Sequence, residues 1–147
     1  MYFVDRRKIE EQLVFLERNL SLFKESSFQT DLEKVALERL HHVVIESIID
    51  VGNTIIDGFI MRDPGSYEDI IEILTDECVV PATSSEPLKQ VVVMRKILMQ
   101  DFTNIDHNVL EENLTKNMNV LEAFPNQVRK YLNEELGAVS AFMPEES

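Results

Sequence analysis

The segment from residue 31 to about residue 59 carries apolar side chains at helical spacing on two faces, and this feature constrains the fold more than any other. One face comprises Leu37, Leu40, Val44, Ile48, Val51 and Ile55. The other face comprises Val35, Ile45, Ile49, Ile56 and Ile60. A helix with one apolar face lies at a domain surface, whereas a helix with two is covered from both sides. The segment is therefore predicted to be a central helix with several others packed around it.

The rest of the chain is also helical in its periodicity, with polar breaks that mark the helix ends. Thr30 or Asp31 can cap the central helix, Ser66 begins a pattern that resembles a capping box, and Asp106 can cap the last helix. Helices are predicted over residues 4–25, 31–59, 67–75, 85–101 and 107–136. Pro125 predicts a kink near Ala123 in the last helix, and Gly137 predicts its end. The predicted fold is an all-α antiparallel bundle of about five helices, four of which form the core.

Length and composition indicate one domain in a reducing compartment. The chain has 147 residues and is 44% hydrophobic, which suits one core. We expect a single helical domain over residues 1–137 and a loose C-terminal tail over residues 138–147. The N-terminus has charges where a signal peptide is apolar, and no run is long enough to span a membrane. With Cys78 as the single cysteine, we expect a soluble, cytoplasmic protein that has no intrachain disulfide and no membrane partner.

The net charge of −13 limits the possible partners. Basic and acidic residues cancel over residues 1–26, so the whole net charge comes from the remainder of the chain. Such a surface repels nucleic acid in general. An RNA ligand would therefore require a small basic groove.

A line of polar residues runs along the central helix between its apolar faces. It comprises, at spacings of four, three and four residues, Glu46, Asp50, Asn53 and Asp57. Carboxylates between apolar surfaces require a partner. Arg95 lies in the apolar segment "VVVMRKIL" of the predicted fourth helix, and this predicts that helices two and four face each other. Arg95 would then pair with Asp50 or Glu46, either as a structural ion pair or in a polar pocket.

Other chemistries are less well supported by the sequence. His42 and Glu46 have the spacing of two metal ligands on one helix turn, but a metal centre needs ligands from a second helix. The predicted fourth helix offers only Arg95 and Gln100, so no metal site is predicted. His107 lies at a helix start and is expected to be solvated. The chain has no glycine-rich phosphate loop, and no cofactor is predicted.

The ordered segments resemble the HepT-like family of the HEPN superfamily and are most similar to its YutE-type branch in Firmicutes. The resemblance rests on the acidic helix "ESIIDVGNTIIDGFI", the elbow "RDPGSYEDIIEILTDECVV", the helix "VVVMRKILMQDFTNID" and the long final helix. It implies a HEPN-like helical fold and a homodimer with two motifs near the dimer cleft. It also implies a metal-independent ribonuclease, often a toxin, with a minimal nucleotidyltransferase antitoxin as partner that can modify the motif tyrosine.

The family motif is interrupted in this chain. The family has arginine, four residues, histidine, one residue and tyrosine; Arg95 matches the arginine, but Gln100 and Phe102 stand at the other two positions. An amide does not exchange protons near neutral pH, so weak or absent ribonuclease activity is predicted, with a polar cleft that binds RNA, a nucleotide or a protein. The predicted catalytic positions are Arg95, Gln100, Asp50 and Glu46. The predicted substrate-binding positions are Asn53, Asp57 and Phe102.

Two alternatives remain open at the level of sequence. In the first, the chain is an active RNA endonuclease and toxin in which Gln100 orients the ribose 2′-hydroxyl and a carboxylate of helix two moves the proton. In the second, the chain is a structural or regulatory interaction module, and Arg95 only holds the bundle together.

Overall fold

A computed structural model describes the backbone of residues 4–140 and the side chains of residues 4–136. The helices are α1 (Arg6–Glu25), α2 (Asp31–Gly58), α3 (Tyr67–Asp76), α4 (Ser85–Val92), α5 (Arg95–Gln100), α6 (His107–Lys116) and α7 (Met118–Ser140), with a 3-10 turn at Ala82–Ser84. Residues 4–140 contain no strand, which agrees with the all-α prediction. None of the helices in this range has the length and apolar content needed to cross a membrane. Residues 141–147 of the predicted tail lie outside the described range.

Helix α2 is the centre of the bundle, as its two apolar faces predict. It packs against α1, α3, α4, α5 and α6. The first apolar face is buried along its whole length, but the second is buried only in its middle, because Val35 and Ile60 at its ends are exposed. Helix α3 approaches closely at Gly52, where a Cβ atom would lie 2.6 Å from Cγ2 of Ile70. A larger residue there would push the two helices apart.

Polar contacts between α1 and α7 show that these helices run in opposite directions. Lys24, at the end of α1, pairs with Glu122, near the start of α7. Arg129, in the middle of α7, binds Glu17 and Glu10 further back along α1. This arrangement agrees with the predicted antiparallel bundle.

The helix starts follow the predicted capping residues. The Thr30 side chain accepts a hydrogen bond from the Glu33 N–H, and the Glu33 carboxylate accepts one from the Thr30 N–H, which forms a capping box. Ser66 caps α3, and Asp106 caps α6. Because these caps satisfy N–H groups that have no partner within the helix, they fix where each helix begins.

The predicted fourth helix, over residues 85–101, is wrong as a single element. It is divided into α4 and α5 by a turn at Val93 and Met94. Here the Met94 N–H donates to the Val91 carbonyl at 3.2 Å and the Lys96 N–H donates to the Val93 carbonyl at 3.4 Å. Bonds to the residue three positions earlier tighten the chain locally. As a result, Arg95 begins a new helix instead of lying inside a longer one.

The predicted last helix also divides, although not at the predicted place. The break is at Asn117, which is buried and donates its side-chain amide to the Asn113 carbonyl at 2.9 Å. That side-chain bond replaces a bond of the helix backbone and ends α6. Helix α7 is continuous through Pro125, beside the fully buried Phe124. It extends to Ser140, three residues beyond the predicted end at Gly137.

Candidate phosphate-binding site

Arg95 lies where α2, α3 and α5 converge. Its Nε donates a hydrogen bond to Oε1 of Glu46 on α2 at 2.7 Å. Its guanidinium also stacks on the ring of Tyr67, the first residue of α3, at 4.6 Å from the ring centroid. The hydrogen bond to Glu46 raises the pKa of Arg95 above its ordinary value. Arg95 is therefore held in one orientation by an acceptor on one helix and an aromatic face on another.

The two terminal nitrogens of Arg95 have no hydrogen-bond or ion-pair partner among the residues that the structure describes. A guanidinium has five N–H donors, and Nε uses one of them, so the remaining donors lie on Nη1 and Nη2. The side chain is 27% exposed, which makes these donors accessible from solvent. A fixed guanidinium with free parallel donors has the shape that binds phosphate and carboxylate oxygens.

Two further residues of α2, His42 and Arg39, extend the site from Glu46 towards the start of the helix. The His42 Nε2 lies 3.6 Å from Oε1 of Glu46, the same oxygen that Arg95 contacts. On its other side, His42 Nδ1 lies 3.4 Å from Nη1 of Arg39. The order along this face is thus Arg39, His42, Glu46, Arg95. This row contains two guanidinium groups and one carboxylate, and the Asp50 carboxylate lies one turn further along the same face of α2.

The other predicted residues of α2 do not join Arg95. Asp50 is exposed and accepts a hydrogen bond from Nε2 of Gln12 on α1 at 3.4 Å, so of the two partners predicted for Arg95 the structure has Glu46 and not Asp50. Asp57 is exposed and Asn53 is half-buried. The polar line does lie on one face of α2, but this face opens to solvent and is not enclosed between apolar surfaces. Of the four residues of this polar line, only Glu46 contacts Arg95.

Neither Gln100 nor Phe102 contacts Arg95 among the residues that the structure describes. Gln100 is exposed and lines a groove of about 410 Å³ between α5, the following loop and α6, and Arg95 is not part of its lining. Phe102 is 62% exposed beyond the end of α5. Arg95 and Gln100 are five residues apart, and residues with this spacing on a helix point in directions about 140° apart. This explains why the two side chains face different sides of α5.

The other two histidines have structural contacts. His107 was expected to be solvated, but it is half-buried, and its Nε2 lies 2.8 Å from Oε2 of Glu38 on α2. His41 is fully buried with Nε2 2.9 Å from Oδ1 of Asn113, and burial lowers its pKa to about 4. Each contact joins α2 to α6, and neither histidine contacts Arg95.

Neither Arg39 nor Tyr67 was predicted as a site residue, and His42 was considered only as a metal ligand. Arg39 lies three residues before His42 and seven before Glu46, so helical spacing already places it on the polar face. Tyr67 has no such signal, because its contact with Arg95 depends on how α3 docks on the bundle. The paired His42 and Glu46 do not extend to a metal-binding set: the described residues contain no group of three or more His, Cys, Asp or Glu suited to a metal.

Comparison with known proteins gives consistent matches over most of the chain. The family model "Ribonuclease HepT-like" matches residues 9–128. The protein named "Putative RNase YutE" of Bacillus subtilis (strain 168) is 47% identical over 143 residues, which cover 97% of this chain and 99% of that protein.

Solved structures match the helical fold. The structure of the cytosolic protein of unknown function YutE from Bacillus subtilis superposes with a TM-score of 0.92 at 47% identity, over 97% of this chain and 100% of that one. A crystal structure of a toxin–antitoxin with AMP-PNP superposes with a TM-score of 0.71 at 18% identity, over 82% of this chain and 96% of that one. At 18% identity the second match shows a shared fold and nothing further.

Proposed function

Because the chain belongs to the ribonuclease HepT-like family, we propose that it binds the phosphodiester backbone of RNA at Arg95 and cleaves RNA weakly at most. One observation carries this proposal. Arg95 is fixed by Glu46 and Tyr67, yet its two terminal nitrogens have no partner among the described residues and are open to solvent. An arginine with a purely structural role would be expected to use these donors within the bundle.

The chemistry of the site supports binding more strongly than cleavage. Metal-independent cleavage requires a base for the ribose 2′-hydroxyl, an acid for the leaving oxygen and positive charge beside the phosphorane. Arg95 provides the positive charge. Gln100 cannot transfer a proton, and loss of a positioned acid–base group typically slows a reaction by about 10²- to 10⁴-fold. Phe102 also lacks the hydroxyl that a modifying partner would require.

A homodimer and a nucleotidyltransferase antitoxin are further parts of the proposal. Val109 is an exposed apolar side chain that lines the groove at Gln100, and Met99 and Phe102, next to Gln100 in the chain, are also exposed; exposed apolar side chains favour association with a second copy. The partner of the antitoxin class is proposed from membership of the HepT-like family, and the fold shared with a structure described as a toxin–antitoxin is in keeping with it. A cytoplasmic location is in keeping with the relative described as cytosolic. Light scattering tests the dimer, and a monomer at micromolar concentration would contradict it.

The proposed loss of activity is tested by restoring the motif. In the proposed homodimer, in which the family resemblance implies that the two motifs lie near one cleft, we expect the double variant Gln100→His with Phe102→Tyr to cleave RNA in the presence of EDTA at least tenfold faster than the wild type. Addition of Arg95→Ala should abolish the gain, because the phosphorane loses its positive partner. A matched control, Gln29→His, places a histidine at an exposed position far from α5 and should not change the rate.

Two outcomes would replace this proposal with another. Rapid cleavage by the wild type that is lost in Gln100→Ala would support an active ribonuclease in which Gln100 takes part. Equal RNA binding by the wild type and Arg95→Ala would support an interaction module in which Arg95 only joins helices.

A further inference from the structure

His42 differs from the other two histidines in how its ring is held. His41 is buried against Asn113, and His107 is bound to Glu38 at 2.8 Å. Both ring nitrogens of His42 have long contacts instead, 3.4 Å to Arg39 and 3.6 Å to Glu46. These distances lie at or beyond the limit of a hydrogen bond, so a ligand can displace either neighbour at little cost. The side chain is 25% exposed, which lets a ligand reach it.

His42 is also beside the proposed phosphate-binding group. Its Nε2 and the Nε of Arg95 contact the same oxygen of Glu46. The His42 ring and the Arg95 guanidinium therefore flank one carboxylate oxygen, with Nε2 on the side of Glu46 and Arg95 and Nδ1 on the side of Arg39. Gln100, at the motif position of the histidine, faces a different groove. In this chain the imidazole near the arginine comes from α2 and not from α5.

The charged groups around His42 favour one protonation pattern. A neutral imidazole carries a proton on one nitrogen and a lone pair on the other. The Glu46 carboxylate favours the proton on Nε2, and the Arg39 guanidinium, which can only donate, favours the lone pair on Nδ1. A base oriented by a carboxylate through its second nitrogen is a recurrent arrangement in proton transfer. The Nδ1 lone pair is thus the available base.

We propose, building on the function proposed above, that His42 is the proton acceptor for slow cleavage of single-stranded RNA. The Nδ1 atom takes the proton of the ribose 2′-hydroxyl as the 2′-oxygen forms a bond to phosphorus. The bond from phosphorus to the 5′-oxygen breaks, and that oxygen takes a proton from water. The imidazolium then returns its proton to solvent. The products are a 2′,3′-cyclic phosphate and a 5′-hydroxyl, and no metal or other reagent is consumed.

The test measures cleavage of a labelled RNA in EDTA by the wild type, His42→Ala and the matched control His107→Ala. His107 also pairs with a glutamate of α2, and its side chain is likewise 25% exposed, but it does not contact Arg95. We expect His42→Ala to lower the wild-type rate at least tenfold and His107→Ala to leave it unchanged. Added imidazole should restore cleavage by His42→Ala, because the free base can enter the space left by the ring. An RNA with a 2′-deoxyribose at the cleaved position should not react.

Several outcomes would overturn the role of His42. These are an unchanged rate in His42→Ala, a reduced rate that imidazole does not restore, or a wild type without cleavage above buffer. Thermal melting of each variant identifies a rate that falls because the fold is lost. Binding of uncleavable deoxy-substituted RNA, compared between the wild type and Arg95→Ala, tests phosphate recognition separately. Binding that depends on Arg95 together with no cleavage would reject the role of His42 and leave the binding function intact.

Discussion

Arg129 and Arg95 have nearly the same exposure, with side chains 26% and 27% accessible, but they are bound in different ways. Arg129 uses all three of its nitrogens: it donates to Glu10 and Glu17 of α1 at 2.7–3.0 Å, and to Asn126 of its own helix. Arg95 makes one such bond, from Nε to Glu46, and stacks on Tyr67. The first guanidinium is saturated by the bundle, and the second is held in place with free donors.

This difference separates a structural arginine from a binding arginine more clearly than burial does. Hydrogen bonds to Glu10 and Glu17 raise the pKa of Arg129 far above its ordinary value, and the charge is neutralised within the fold. No N–H donor of Arg129 is therefore left for a ligand. Arg95 combines a fixed position with unused donors, and preorganised donors are what an anion-binding site requires.

Replacement of Arg129 should have the largest effect on stability. Arg129→Ala removes the link between α1 and α7 and leaves two carboxylates without their partner, at a cost of about 2 kcal/mol. The carboxylates are about half exposed, which keeps the cost below that of a buried pair. Chemical unfolding followed by circular dichroism measures it, since the chain has no tryptophan. A cost near zero would show that the extra bonds of Arg129 do not stabilise the bundle.

Replacement of Arg95 should cost less. Arg95→Ala loses one charge-assisted hydrogen bond to a partly exposed carboxylate and one ring contact, together about 1 kcal/mol. The same unfolding experiment compares the unfolding free energies of Arg95→Ala and Arg129→Ala. If Arg95→Ala were the more destabilising of the two, Arg95 would be the main structural arginine and the contrast would be reversed.

Neutralisation of Glu46 should sharpen the contrast in binding. The Glu46 carboxylate reduces the attraction of Arg95 for an anion. Glu46→Gln should therefore raise the affinity for RNA about fivefold, which corresponds to the removal of roughly 1 kcal/mol of electrostatic repulsion. Asp50→Asn is the matched control, because Asp50 lies on the same face of α2 but does not contact Arg95. An equal gain in both variants would indicate a general effect of net charge.

The smallest expected effect is a pH dependence of the stability that Arg129 provides. The hydrogen bond from Arg129 lowers the pKa of Glu17 below its ordinary value of 4.5. The resulting stability is complete at neutral pH and is lost as the pH falls below 4.5. The difference in unfolding free energy between wild type and Arg129→Ala should therefore shrink in acid. Burial of the neutral His41 destabilises both proteins in acid and cancels in this difference. A difference that stays constant with pH would contradict the role of Glu17.

The fold was predictable where local signals agree with the packing. The capping residues Thr30, Ser66 and Asp106 were read correctly because a cap acts within one turn of the chain. The break at Asn117 was missed because it depends on a buried side-chain bond to Asn113, which no helical propensity reports. The effect of Pro125 was overestimated for the opposite reason, since its neighbours, including Phe124, are held in the core.

The candidate site was predictable only in its central pair. Arg95 and Glu46 could be matched because each is a charged residue on a helix with large apolar faces. The choice between Glu46 and Asp50 required the structure, because they are one turn apart on α2 and the sequence pattern suits both as partners of Arg95. The contact with Tyr67 depends on the docking of α3, which sequence spacing does not encode, whereas the separation of Gln100 from Arg95 follows from their five-residue spacing on α5.

The most direct test of the central contrast is RNA binding by the two arginine variants under identical conditions. Fluorescence anisotropy of a short, uncleavable single-stranded RNA at low salt compares wild type, Arg95→Ala and Arg129→Ala, each confirmed as folded by circular dichroism. Loss of one phosphate contact should weaken binding by Arg95→Ala about tenfold, with a shallow salt dependence that corresponds to one or two phosphate contacts. Arg129→Ala should bind as the wild type does. Equal affinities for wild type and Arg95→Ala, or a loss confined to Arg129→Ala, would contradict the assignment of Arg95 as the binding arginine.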